Sequence, residues 1–169
     1  MKFISTLVHS HTSNQLSPMP SFQIHFPKYN LKFRVVENRR EVWDVIRKKY
    51  VVLTPEEWVR QLLMHYLITE KGYSPSLLAV EKGINLNGTQ KRCDIVAYNN
   101  TGAPQLIVEC KAPEVVLTDA VMEQTARYNL VLKVPYLLVG NGNDFYCVAM
   151  DLANSSYRFL PNIPEYSQL

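Results

Sequence analysis

The chain has 169 residues, with 18 Lys plus Arg against 15 Asp plus Glu, and a formal net charge of +3. That length accommodates one domain with a conventional core, and it excludes a large motor protein, as does the lack of a G-x-x-x-x-G-K-[ST] phosphate-binding loop. A net charge this small does not by itself indicate nucleic-acid binding.

The first 20 residues are rich in Ser, Thr, His, Asn and Pro and show little periodicity. We interpret residues 1–20 as a mobile leader, or as upstream sequence before a natural start at Met19. Residues 21–169 are predicted to form a single domain. No apolar run approaches the ~20 residues of a membrane span, and the apolar start is too short for a signal peptide. We therefore expect a cytoplasmic protein without a membrane segment.

A strand and a basic stretch precede the first helix. Residues 31–35 alternate between apolar and basic side chains, as in an exposed strand. The densest group of cations follows and consists of Arg39, Arg40, Arg47, Lys48 and Lys49. These cations form either a solvated surface or a set of contacts to the phosphates of a nucleic acid.

The first helix has a well-marked start. Thr54 suits the N-cap, Pro55 the first helical position, and Glu57 stands where it would complete a capping box. The apolar positions that follow at helical spacing are Val59, Leu62, Leu63, Tyr66 and Leu67. The helix is expected to end before Gly72, with Glu57 pointing away from the apolar stripe and acting only as a cap.

Three strand-like segments, a second helix and two more strands follow. Their approximate bounds are 77–81, 93–98 and 106–111 for the first strands, 118–132 for the helix, and 136–139 and 145–150 for the last strands. The order helix, three strands, helix, two strands predicts an α/β fold with a mixed central β-sheet flanked by helices.

The cysteine pattern indicates a reducing compartment. Cys93, Cys110 and Cys147 are widely spaced, form no C-x-x-C pair and lie among apolar residues. A disulfide framework or a zinc site would need closer clusters, so we predict three buried free thiols.

Charged residues interrupt two strands that are otherwise apolar. Asp94 lies in one of them, and Glu109 and Lys111 lie in the next. Because strand side chains alternate between faces, Glu109 and Lys111 point the same way. A hairpin over residues 99–105 would also bring Asp94 close to Glu109. Two carboxylates and one ammonium are thus predicted to converge in a largely buried sheet.

Two interpretations of this cluster remain open. In the first, it is a structural salt bridge in which Lys111 neutralises Glu109 or Asp94, because buried charges need partners. In the second, the two carboxylates bind a hard cation such as Mg²⁺ or Mn²⁺. A lysine beside that metal could then orient or deprotonate an attacking water, as in metal-assisted phosphodiester hydrolysis.

The spacing also resembles a known family. Asp94, fourteen intervening residues and Glu109-Cys110-Lys111 look like the D…E-x-K signature of the PD-(D/E)xK nuclease superfamily. Gln124 and Tyr128 match the Q-x-x-x-Y motif that follows the active-site strand in some branches of it. Together with Glu-x-x-x-Arg at Glu56 and Arg60, the arrangement resembles the N-terminal nuclease domain of type I restriction enzyme R subunits. Cys93 stands where the superfamily name has Pro, a position that varies among its members.

The resemblance implies a restriction-endonuclease-like core and a role for each matching residue. Asp94 and Glu109 would bind Mg²⁺ or Mn²⁺, and Lys111 would serve the attacking water. Gln124 and Tyr128 would position DNA or support the site, although they could instead be an ordinary helix pair packing on the sheet.

Other acidic residues are assigned less directly. Glu56 could complete the acidic cluster as a further metal ligand, or it could pair with Arg60 at i, i+4. Glu81 could lie on the surface and is left out of the site.

The implied function is a Mg²⁺-dependent DNA endonuclease domain, with DNA and other restriction-modification subunits as partners and an oligomeric state that the sequence leaves open. The residues alone leave two alternatives. One is a catalytically inactive module of the nuclease fold that binds DNA or docks a protein, and the other is a nuclease directed at RNA.

Overall fold

A computed structural model describes residues 22–86, 88–154 and 156–169. The expected leader at residues 1–20 lies outside them. The strands are β1 Phe22–Gln23, β2 Phe33–Val36, β3 Arg39–Asp44, β4 Lys49–Val52, β5 Leu78–Leu86, β6 Thr89–Tyr98, β7 Pro104–Cys110, β8 Tyr136–Gly140, β9 Asp144–Asp151 and β10 Ser156–Leu160. The helices are α1 Pro55–Thr69 and α2 Asp119–Leu132, with short 3₁₀ turns at Pro75–Leu77 and Tyr166–Gln168.

The central sheet is mixed, as predicted. Its order is β1-β9-β8-β7-β6-β5, and β10 also pairs with β9. Strands β7 and β8 are parallel and are connected through α2, whereas the other pairs are antiparallel. The predicted order of two helices and five strands is confirmed between α1 and β9, and the edge strands β1 and β10 add to it.

Each face of the central sheet carries one helix, because successive strand residues alternate between faces. On one face, apolar residues of α1 such as Val59 and Leu63 join a cluster with Leu106 and Val108 of β7. On the other face, Met122 of α2 joins a second cluster that includes Ile107 of the same strand.

A second, three-stranded sheet lies against the start of α1. It has the order β2-β3-β4, and its β2 corresponds to the single exposed strand predicted near residues 31–35. The other two strands were not predicted, because their charged side chains were interpreted only as a basic stretch. One contact with α1 is aromatic, with the rings of Phe33 and Trp58 at a centroid distance of 6.4 Å.

The sequence-based prediction of α1 is confirmed at its start and at its end. The Thr54 hydroxyl accepts a hydrogen bond from the backbone N–H of Glu57 at 3.0 Å. The three cysteines are free and buried, also as predicted. Within the described residues, neither helix is long and apolar enough to cross a membrane.

Candidate active site

The hairpin of β6 and β7 brings the two predicted carboxylates together. These strands pair antiparallel, and Asp94 and Glu109 directly adjoin the last pair of the ladder, Ile95 and Val108. The Asp94 Oδ2 accepts a hydrogen bond of 2.7 Å from the backbone N–H of Cys110, which anchors this carboxylate across the strands. The predicted proximity of Asp94 and Glu109 is therefore confirmed.

Glu109 is buried, and only one of its carboxylate oxygens is satisfied. Its Oε1 accepts a hydrogen bond of 2.8 Å from Lys111 Nζ. Its Oε2 is buried and has no hydrogen-bond partner among the residues that the structure describes. Because a buried polar atom without a partner is costly, this oxygen is suited to bind an added cation or a proton.

The surroundings of Glu109 favour its protonated form. Burial raises the pKa of this carboxyl to about 7, and the negative charge of Asp94 adds to the increase. The hydrogen bond and the charge of Lys111 oppose the increase without cancelling it. The negative charge of Asp94 and the burial of Glu109 thus act together against ionisation of Glu109.

Lys111 is held as an ammonium. Burial alone would lower its pKa, but the hydrogen bond and the negative charge of Glu109 outweigh burial and raise the pKa above its ordinary value. This side chain donates its hydrogen bond to Glu109. The two roles predicted for it, orienting and deprotonating an attacking water, both stay predictions.

Arg60 is a part of the site whose contact with Asp94 the sequence did not reveal. Its Nη2 donates to Asp94 Oδ1 at 2.7 Å, and its Nη1 donates to Glu57 Oε2. The guanidinium is buried, and the neighbouring carboxylates, Asp94 foremost, outweigh burial and raise its pKa. The sequence does place this arginine between Val59 and Leu63 on the packed side of α1, and a charge at such a position could have indicated a buried partner.

The expectation that Glu57 acts only as a cap is wrong. Its backbone N–H binds Thr54, but its side chain is buried and accepts hydrogen bonds from three groups. These come from Arg60, from Arg47 Nη2 at 2.6 Å and from Gln61 Nε2 at 2.9 Å. The reason is tertiary, because the β3–β4 turn folds over this end of α1 and encloses a residue that would otherwise face water.

Arg47 connects the small sheet to the site. It binds Asp44 Oδ2 at 2.7 Å and Glu81 Oε2 at 3.0 Å in addition to Glu57. Asp44 is fully buried and also accepts from Gln61 Nε2 at 3.0 Å. Arg47 is therefore an internal ion-pairing residue, and neither of the two alternatives for the basic stretch, a solvated surface or a phosphate contact, describes it.

Glu81 is exposed, as expected, but its backbone conformation differs from that of its neighbours in β5. It lies between the paired residues Val80–Ile95 and Lys82–Cys93, and its φ is +52°. Few residues other than Gly adopt this left-handed conformation within a strand. Its carboxylate reaches the guanidinium of Arg47, so it belongs to the ion-pair network at the edge of the site.

Glu56 does not form a three-acid cluster with the buried carboxylates. Its side chain is about half exposed, and its Oε1 lies 3.4 Å from Arg60 Nη2. Within the described residues, no three His, Cys, Asp or Glu side chains are grouped so that they could hold a metal together. The geometry favours the i, i+4 ion pair, which was the alternative interpretation of Glu56.

The residues of the Q-x-x-x-Y motif lie on α2. Gln124 is exposed. The backbone of Tyr128 belongs to the same helix, but its side chain lies outside the described residues. Their expected role stays a prediction.

The chemistry of the donor set fits a divalent cation. Asp94 and Glu109 supply carboxylate oxygens from neighbouring strands, and Glu109 Oε2 has no partner in the described part of the chain. Mg²⁺ is commonly held by one or two carboxylates, with waters or phosphate oxygens completing its coordination. Two protein carboxylates are therefore sufficient for such a site.

Comparison with known proteins identifies the sequence family and a similar fold. The family described as type I restriction enzyme R protein N terminus matches residues 55–164. Among solved structures, the chain is similar to a fragment described as an HsdR subunit of a type I restriction enzyme from Vibrio vulnificus YJ016, with a TM-score of 0.53 and 18% identity. The similarity covers 69% of this chain and 24% of that one. A search of curated proteins gave no significant match.

Proposed function

The chain belongs to the family of type I restriction enzyme R protein N termini, and from that premise we propose that it is a divalent-metal-dependent DNA endonuclease domain. In this proposal it has the restriction-endonuclease-like core of the PD-(D/E)xK superfamily. The chain spans about a quarter of the solved relative, so the activity concerns this region alone. Other restriction-modification subunits are its proposed protein partners.

The observation that carries the proposal is the pair of carboxylates on β6 and β7. Asp94 is fixed in orientation by the Cys110 N–H, and Glu109 offers a buried oxygen without a partner in the described structure. These two residues are the proposed ligands of Mg²⁺ or Mn²⁺. A bound metal of this kind supplies positive charge to a scissile phosphate and acidifies a coordinated water.

The residues of the site have distinct roles in the proposed reaction. Asp94 and Glu109 would hold the cation, and the burial of Glu109 limits the access of bulk water to its carboxylate. Lys111 is proposed to orient or deprotonate the attacking water. Gln124 and Tyr128 on α2 are proposed to contact the DNA. Glu56, which pairs with Arg60, is proposed at most as an outer acid and not as a direct ligand.

The exposed cations of the small sheet are proposed to bind the DNA backbone. Arg39, Arg40, Lys48 and Lys49 are all exposed, whereas Arg47 is used internally. Lys48 and Lys49 adjoin the turn that carries Arg47 to the edge of the site. Contacts to phosphates position a duplex without reading its sequence, so these residues support non-specific binding.

A plasmid-nicking assay in Mg²⁺ tests the catalytic proposal. We expect Lys111→Ala to lower the rate of nicking by about 100-fold or more, because it removes the group that orients or deprotonates the water. Lys28→Ala, which removes an exposed lysine remote from Glu109 in the sequence, is the control and should keep the wild-type rate. Nicking by Lys111→Ala at the wild-type rate would contradict the mechanism. Duplex DNA, single-stranded DNA and RNA compared as substrates distinguish a DNA nuclease from an RNA nuclease.

A second candidate function has its own support in the ion pairs. Lys111 lies 2.8 Å from Glu109, and Arg60 lies 2.7 Å from Asp94, so each acid already has a counter-ion. Such pairing would also suit a catalytically inactive module that binds DNA or docks a protein. Calorimetric titration with Mn²⁺ separates the two functions. The nuclease requires binding that Asp94→Asn or Glu109→Gln removes, whereas the inactive module requires none.

A further inference from the structure

The contacts of Arg60 differ from those of an ordinary surface arginine. Its side chain is 8% exposed, and its two terminal nitrogens bind carboxylates from different elements, Glu57 on α1 and Asp94 on β6. Its Nε is buried without a hydrogen-bond partner in the described part of the chain. The position of the guanidinium is therefore determined by these acids.

Both carboxylate oxygens of Asp94 accept hydrogen bonds. Oδ2 accepts from the Cys110 N–H, and Oδ1 accepts from Arg60, each at 2.7 Å. A divalent cation bound by Asp94 must share the carboxylate with the guanidinium or displace it. Arg60 consequently lies on the carboxylate where the metal is expected.

The charges around Arg60 explain why its guanidinium stabilises the folded chain. Asp94, Glu109 and Glu57 are all largely buried and lie within one network. Without Arg60, Glu57 keeps Arg47 as a partner and Glu109 keeps Lys111, but Asp94 has no cation among its described contacts. Leaving a buried charge unpaired is strongly unfavourable.

We propose that Arg60 is the internal counter-cation of the metal site, a positioning residue that neutralises Asp94 in the metal-free protein and thereby weakens its affinity for a divalent cation. This inference rests on the proposed function and assigns a role to a residue outside the D…E-x-K and Q-x-x-x-Y motifs. Arg60 acts through Asp94 and sets how much free metal is needed to load the site.

The expected direction follows from electrostatics. A divalent cation that shares a carboxylate with a guanidinium is repelled by it, and even in a high dielectric this repulsion changes the affinity by about tenfold. Without Arg60, the Asp94 side chain is held by one hydrogen bond and gains some freedom, so metal binding must then fix it at an entropic cost. For a short side chain this cost is smaller than the effect of the repulsion. Removal of the charge therefore strengthens metal binding.

Calorimetric titration of the full chain with MnCl₂ tests the inference. Arg60→Gln is expected to bind Mn²⁺ at least about tenfold more tightly than the wild type. Arg60→Lys keeps the charge and is expected to restore the affinity to within about threefold of the wild type. Asp94→Asn should abolish binding in either background.

Arg47→Gln is the matched control, because Arg47 is also a largely buried partner of Glu57 but has no contact with Asp94 in the described structure. Its metal affinity should stay within about threefold of the wild type. If Arg60→Gln does not fold, Glu57→Gln with Arg60→Gln removes a whole ion pair at constant net charge. This double variant should also bind Mn²⁺ more tightly.

The outcomes separate the two proposals. If the wild type binds Mn²⁺ and Arg60→Gln, or the double variant in its place, binds equally or more weakly, the role of Arg60 is wrong and the metal site stands. Equal changes in the Arg47 and Arg60 variants likewise overturn it, since they indicate a general structural effect. A wild type that binds no Mn²⁺ overturns the proposed function and this inference together.

Discussion

Among single residues, Glu109 is the acid whose ionisation is most strongly affected by the fold. It is 5% exposed and lies beside Asp94, and together burial and this neighbour raise its pKa to about 7. The carboxyl is thus partly protonated at neutral pH until a cation compensates its charge. The proposed metal ligand is therefore also an acid whose ionisation destabilises the folded chain.

Glu109 is expected to make the metal-free protein less stable as the pH rises. Below pH 4.5 the carboxyl is protonated in both the folded and the unfolded chain, so it has no effect. Between pH 4.5 and about 7 the unfolded chain releases the proton first, and the free energy of unfolding falls with each pH unit. The total loss is about 3 kcal/mol. Glu109→Gln should remove this loss.

Urea unfolding in the presence of EDTA, repeated across this pH range, measures the effect. The difference in unfolding free energy between the wild type and Glu109→Gln should change in favour of the variant as the pH rises. Glu114→Gln alters an exposed acid shortly after the same strand and should follow the wild type throughout. A parallel pH dependence of the wild type and Glu109→Gln would contradict the raised pKa.

Among the elements, α1 matters most in its first turns, which contain both the helix cap and the residues of the ion-pair network. Its start is capped by Thr54, and its next residues carry Glu57 and Arg60 into the ion-pair network. The small sheet covers this end of the helix through Arg47 and Asp44. The position of Arg60 relative to Asp94 thus depends on α1 beginning at the correct residue.

The caps of the two helices should contribute differently to stability. Thr54 accepts a hydrogen bond from the Glu57 N–H at 3.0 Å, whereas Thr118 at the same position of α2 makes no side-chain cap. Thr54→Ala should therefore lower the free energy of unfolding by about 1 kcal/mol. Thr118→Ala is the matched control and should change it by only a few tenths of a kcal/mol. Equal losses in urea unfolding would show that the Thr54 cap is not the cause.

For the whole molecule, the distribution of charge matters more than the net value of +3. Some cations of the basic stretch face solvent on the small sheet, and Arg47 and Arg60 are used internally to balance buried acids. Solvent-facing cations attract a polyanion, whereas internal ones hold the molecule together. Net charge could not have separated these two groups.

Lys48 and Lys49 are expected to contribute to DNA binding because they adjoin the turn at the edge of the site. Lys48→Ala with Lys49→Ala should weaken binding to a short duplex and reduce the salt dependence by about 0.9 in the logarithmic slope for each phosphate that is no longer neutralised. Lys28→Ala with Arg158→Ala removes the same charge from other exposed positions. Fluorescence anisotropy at several salt concentrations measures both. Equal slopes in the two double variants would argue against a localised interaction.

The sequence by itself determined the features that depend on local patterns. Periodicity and capping residues located both helices and the main strands, because each pattern is contained within one element. The short connection between β6 and β7 also predicted that Asp94 lies near Glu109, since a hairpin restricts how its strands pair. The family resemblance then indicated a chemistry for these residues.

Only the tertiary structure decided which charges are internal. Arg60 and Asp94 are 34 residues apart, and Arg47 and Glu57 come from different elements, so no local pattern joins them. The burial of Glu57 and Asp44 likewise depends on the small sheet folding over α1. Burial and ion pairing between distant segments arise only when the elements pack, which is why the sequence indicated Asp94 and Arg60 separately but not the ion pair between them.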